Sequence, residues 1–65
     1  MNNNEFLHEM TQDIQNLLDN NFELLELWNK LTPLAQNEWI CYVTIPKNME
    51  TKNKRLQRMQ EDILY

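Results

Sequence analysis

The sequence predicts an all-α fold, a small three- to four-helix orthogonal bundle. Three observations carry that expectation. Apolar residues recur with a 3.6-residue period in successive stretches, the spacing of helix faces turned to a core. Glycine is absent and proline occurs twice, which removes the tight Gly turns of hairpins and the Gly-rich loops that cradle phosphates. Short Asn-rich and Pro-bearing links separate the stretches, where side chains compete for backbone hydrogen bonds or Pro interrupts a helix. With 65 residues, 42% of them hydrophobic, the chain suits one small helical domain over 1–65 and is too short for a large enzyme scaffold.

The first helix is expected over about 5–18. Phe6, Leu7, Met10, Ile14, Leu17 and Leu18 share one stripe, and Asn4 precedes it as a cap. Glu5 and Glu9 suit a helix N-terminus. The sequence Asp19-Asn20-Asn21 reads as a break, with one long bent helix as the competing reading. A second helix follows over about 22–31. Leu24, Leu27, Trp28 and Leu31 share its face, and Phe22 and Leu25 widen it.

Thr32-Pro33 is the clearest boundary, because Thr can cap a helix and Pro can occupy its first position. The third helix runs over about 34–44. Ala35, Trp39, Tyr42 and Val43 define its inner face, with Leu34, Ile40 and Cys41 outside it. The segment Trp39–Ile45 also has strand propensity, but a lone strand lacks a partner in this chain, so helix is preferred. Pro46 ends the segment by restricting Ile45. The last helix spans about 49–64, with Met49, Leu56, Met59 and Ile63 on one face.

Charge is distributed unevenly. The net charge is -4 and the pI about 4.7, which argues against a general nucleic-acid binder. Residues 1–31 hold six acidic groups and one Lys, a net of -5. Residues 32–65 hold five basic and four acidic groups, a net of +1. All five of those cations, Lys47, Lys52, Lys54, Arg55 and Arg58, fall in or just before the last helix. They form the candidate interaction surface. Lys54 and Arg58 point away from the apolar stripe, Arg55 sits on a flank, and Lys52 lies on or beside the stripe. A cation there costs desolvation unless paired, so Lys52 is expected to act as a structural clamp on an acidic partner such as Glu38. Glu61 and Asp62, one turn after Arg58, can absorb part of the basic charge, which makes a plain solvated face the competing reading.

Little in the sequence points to catalysis. There is no serine, so a Ser–His–Asp triad is impossible. His8 is the single histidine and Cys41 the single cysteine, with no recognised metal-ligand spacing between them. Cys41 sits in an apolar run where thiolate formation is disfavoured, and it reads as a buried thiol of a cytosolic protein. Trp28 and Trp39 fit core packing better than base stacking. No metal or cofactor is expected, and the chain is read as a non-enzyme. No apolar run approaches the roughly 20 residues that cross a bilayer. The opening residues also lack the basic-then-apolar order of a secretory signal. A cytoplasmic location without membrane insertion is the expectation.

Several motifs are familiar in combination. They are Leu31-Thr32-Pro33-Leu34-Ala35, Asn37-Glu38-Trp39-Ile40-Cys41, Glu50-Thr51-Lys52, the basic pair Lys54-Arg55, and Glu61-Asp62 near the helix end. Over about residues 20–64 the chain resembles the YdeI/OmpD-associated family, also named for bacteriocin protection. The family usually carries Arg where Lys52 stands. Many relatives continue past the last helix into a Gly- and basic-rich tail. The resemblance implies a compact helical domain and a bacterial stress or bacteriocin-protection role, and it brings no catalytic residues.

Two function classes follow. The first is a protein-interaction module that binds an acidic protein or self-associates through the last helix. The second is nucleic-acid binding through the five cations, with affinity that falls with salt. The interaction module ranks first, and its partner is not named by the sequence.

Overall fold

A computed structural model describes residues 9–65. It contains four helices: α1 (Gln12–Asp19), α2 (Phe22–Lys30), α3 (Pro33–Thr44) and α4 (Met49–Leu64). There is no strand among the described residues, so Trp39–Thr44 is helical as preferred. The core gathers Ile14 and Leu18 from α1, Leu24 and Trp28 from α2, Ile40 and Val43 from α3, and Met59 from α4. α4 packs against both α2 and α3, and α1 packs against α2. Met59, fully buried, therefore sits where the sequence-distant halves of the chain meet.

Each helix begins on a side chain that satisfies an otherwise orphaned backbone N–H. α1 begins later than the sequence predicted. Thr11 Oγ1 accepts from the Ile14 N–H at 3.2 Å, while Glu9 and Met10 are non-helical and exposed. The cap lies three residues before Ile14, the first core residue among those described. Asn4, Glu5, Phe6, Leu7 and His8 lie outside the described residues.

The predicted break is real, and it is only two residues long. Asn20 closes α1: its backbone N–H and its side-chain amide both donate to the Asn16 carbonyl. Asn21 opens α2, its side-chain oxygen accepting from the Leu24 N–H at 3.1 Å. These two roles explain why one bent helix does not form. Thr32 caps α3 by accepting from the Ala35 N–H at 3.1 Å, with Pro33 in the first turn. Asn48 caps α4 by accepting from the Glu50 and Thr51 N–H groups.

Apolar assignments in α2, α3 and α4 differ from the sequence reading. Ile40 belongs to the core, whereas Trp39 and Tyr42 pack on its edge and Cys41 is only partly buried. α3 is apolar on nearly every side, so its period does not single out an inner face. Phe22 is 73% exposed, and Met49 is 62% exposed. Both stand in the first turn of a helix, where the stripe overhangs the end of the core.

Candidate functional site

The five predicted cations divide into three groups with different environments. Arg55 is a structural residue. Its Nη1 donates to the Tyr42 carbonyl at 2.9 Å, and its guanidinium carbon lies 4.5 Å from the Tyr42 ring centroid. Tyr42 in turn meets Trp39 edge-on, with centroids 5.7 Å apart at 72°. The Tyr42 carbonyl belongs to the last turn of α3, where carbonyls lack intrahelical partners and a cation is favoured by the helix dipole. α3 has no basic residue in its own last turn, so α4 supplies one. The planar, forked guanidinium can stack and donate at once, which an ammonium does less well.

Arg58 is exposed but engaged. Its Nε donates to both carboxylate oxygens of Asp62, at 3.2 and 3.1 Å. That hydrogen bond and the charge of Asp62 push the Arg58 pKa up from its ordinary value. Arg58 thus keeps its charge and holds an exposed ion pair one turn away, as the spacing suggested.

Lys47, Lys52 and Lys54 make up the third group. None forms an ion pair among the described residues, where Arg58–Asp62 is the one such pair. The expected clamp between Lys52 and Glu38 is not formed. Glu38 is exposed and Lys52 is partly buried, and a long side chain can cover apolar surface while keeping its charge wet. The inter-helix fastening assigned to Lys52 is made three residues later, by Arg55. A second fastening, absent from the sequence reading, comes from Gln36. Its amide nitrogen donates to the Trp28 carbonyl at 2.8 Å and so ties α3 to the end of α2.

Sequence reasoning also missed the apolar part of the site. Ile45 is 63% exposed at the end of α3, and Met49 stands similarly open at the start of α4. Lys47 lies exposed between them in the link. Lys52 is one turn after Met49 and shares its side of the helix. All four fall within residues 45–52 at the α3–α4 junction, called the tip below: two exposed apolar side chains and two lysines close in sequence. Lys54 lies on a different side of α4, about 140° from Met49 around the helix. A separate shallow groove runs along the last turns of α4, lined by Gln57, Gln60, Glu61, Leu64 and Tyr65. Among the described residues no three His, Cys, Asp or Glu side chains converge as metal ligands. His8 lies outside those residues. No helix among them is long and apolar enough to cross a membrane.

A family model described as "Bacteriocin-protection, YdeI or OmpD-Associated" matches residues 8–64. The chain belongs to that family. Among curated proteins and among solved structures, none matches it.

Proposed function

We propose that this member of the bacteriocin-protection family is a non-catalytic protein-interaction module whose contact surface is the α3–α4 tip. The observation that carries the reading is the exposure of Ile45 and Met49 beside Lys47. Apolar centres with charged rims are the usual anatomy of protein contacts. Burying two such side chains contributes about 1.5–3 kcal/mol each. The lysines favour an acidic partner and raise its rate of encounter. The role carried over from the family is protection against bacteriocin or a related stress, exerted through that partner in the cytoplasm.

Nucleic acid is the weaker reading. Arg55 is committed to the Tyr42 carbonyl and Arg58 is paired with Asp62, so three lysines are the remaining candidate cations, without an ion pair among the described residues of an acidic chain. Three phosphate contacts fall below the roughly 6–10 that give strongly salt-dependent binding.

The test is affinity capture from cell lysate with the wild type and a Lys47→Glu/Met49→Asp variant, each with and without nuclease. Both substitutions put acidic groups near the N-terminus of α4, where the helix dipole favours them. The reading predicts a protein retained by the wild type in both halves and lost with the variant. Equal retention by the variant contradicts it. Retention lost with nuclease moves nucleic acid to the front. Loss of bacteriocin tolerance in cells carrying only the variant would link the surface to the family role, and cell fractionation checks the cytoplasmic location.

A further inference from the structure

The partner chemistry that the tip calls for is present on the chain itself. At the α1–α2 corner Phe22 is as open as Ile45 and Met49. Asp19, Glu23 and Glu26 lie within four residues of it in sequence, all exposed. Glu26 lies one turn after Phe22 on the same side of α2. The corner is therefore an apolar knob with acidic neighbours, and the tip is an apolar pair with basic neighbours, Lys47 and Lys52. Glu50, on the outer side of α4, is the one acid in the tip's first turn. Within a single chain the two patches do not cover each other, since Phe22, Ile45 and Met49 all remain mostly exposed.

We propose that the tip's occupant is a second copy of this chain, docked by its Phe22 corner against Ile45 and Met49. This inference rests on the tip reading above and names its partner. The charges match in sign, Asp19, Glu23 and Glu26 against Lys47 and Lys52. The apolar centres match in extent, one aromatic ring against two aliphatic chains. Each copy carries both patches, so the contact is reciprocal: two of them close a symmetric dimer where the patches share a face, and chains join head to tail where they do not. The patches are small, so the association is weak and salt-dependent, in the class of contacts below about 1,200 Å².

The experiment is sedimentation of the full chain over a concentration series at low and high salt. The wild type is expected to associate at low salt and to bind about tenfold more weakly once salt screens the charges. Because this arm uses the unaltered protein, it does not depend on any variant folding. Glu23→Lys/Glu26→Lys and Lys47→Glu/Lys52→Glu, each alone, are expected to lose association. Mixing them sets opposite charges against each other at both contacts, native at one and exchanged at the other, and is expected to restore a mixed dimer. A wild type that stays monomeric at low salt overturns the inference, as does association that both variants retain. If that monomer still captures a foreign protein through the tip, the second-copy inference fails and the tip reading stands. If capture also fails, both fall.

Discussion

Replacing Arg55 with alanine removes two contacts at the α3–α4 seam. The first is the hydrogen bond to the Tyr42 carbonyl at 2.9 Å, and the second is the stack on the Tyr42 ring at 4.5 Å. A hydrogen bond from a charged donor contributes about 1.5–3 kcal/mol, and a cation–π contact at a partly exposed site about 0.5–1 kcal/mol. Water can replace the guanidinium at the Tyr42 carbonyl and returns part of the first figure, so the net loss is about 2 kcal/mol. One small core supplies about 3–5 kcal/mol in total. Arg55→Ala should therefore lower the urea midpoint by roughly half with the slope unchanged. Arg55→Lys keeps the charge without the planar fork and should fall between wild type and Arg55→Ala. Lys54→Ala, one residue away on the exposed side of α4, is the control and should stay within about 0.5 kcal/mol of wild type. Urea unfolding followed by circular dichroism reads all three. Arg55→Ala and Lys54→Ala with the same midpoint would refute the argument that Arg55 fastens α4 to α3.

Met59 is fully buried where α4 meets the other helices, so Met59→Ala should cost about 2–5 kcal/mol and leave much of the protein unfolded. Met59→Leu should cost less than about 1.5 kcal/mol, and thermal melts separate the two. Asn21→Ala removes the acceptor for the Leu24 N–H and should cost about 1 kcal/mol, read as a lower urea midpoint. Lys52→Ala should stay within about 0.5 kcal/mol of wild type, because no ion pair to Glu38 is lost. A larger loss would revive the clamp.

Elements bounded by distinctive cap residues were legible in the sequence. Thr32-Pro33 gives a cap followed by a residue preorganised for the first turn, and Asn48 follows the Pro46 break. α3 and α4 accordingly begin within one residue of where they were expected. The start of α1 was not legible. Asn4 and Thr11 are both competent caps, and Phe6, Leu7 and Met10 continue the period of Ile14, Leu17 and Leu18 in the sequence, so the period alone does not choose between them. The inner face of α3 was obscured by its own hydrophobicity, which hid Ile40 among equally apolar neighbours.

The site was legible as a set of cations but not as a division of labour. Lys52 drew attention because it interrupts an apolar stripe. Arg55 on the flank faces the end of α3, and only the packing of α4 on α3 places the Tyr42 carbonyl within its reach. The Arg58–Asp62 pair follows directly from i,i+4 spacing. Met49 was misplaced because periodicity says which side of a helix a residue occupies and not how far the core extends along it.

The most direct test of the α3–α4 tip as a contact surface is site-specific photocrosslinking in living cells. A photoreactive phenylalanine analogue would replace Ile45 or Met49 in turn, with exposed Asn16 on α1 as the control position. The account predicts a discrete protein adduct from positions 45 and 49, and none from position 16. No adduct from either tip position, or the same adduct from all three, would contradict it.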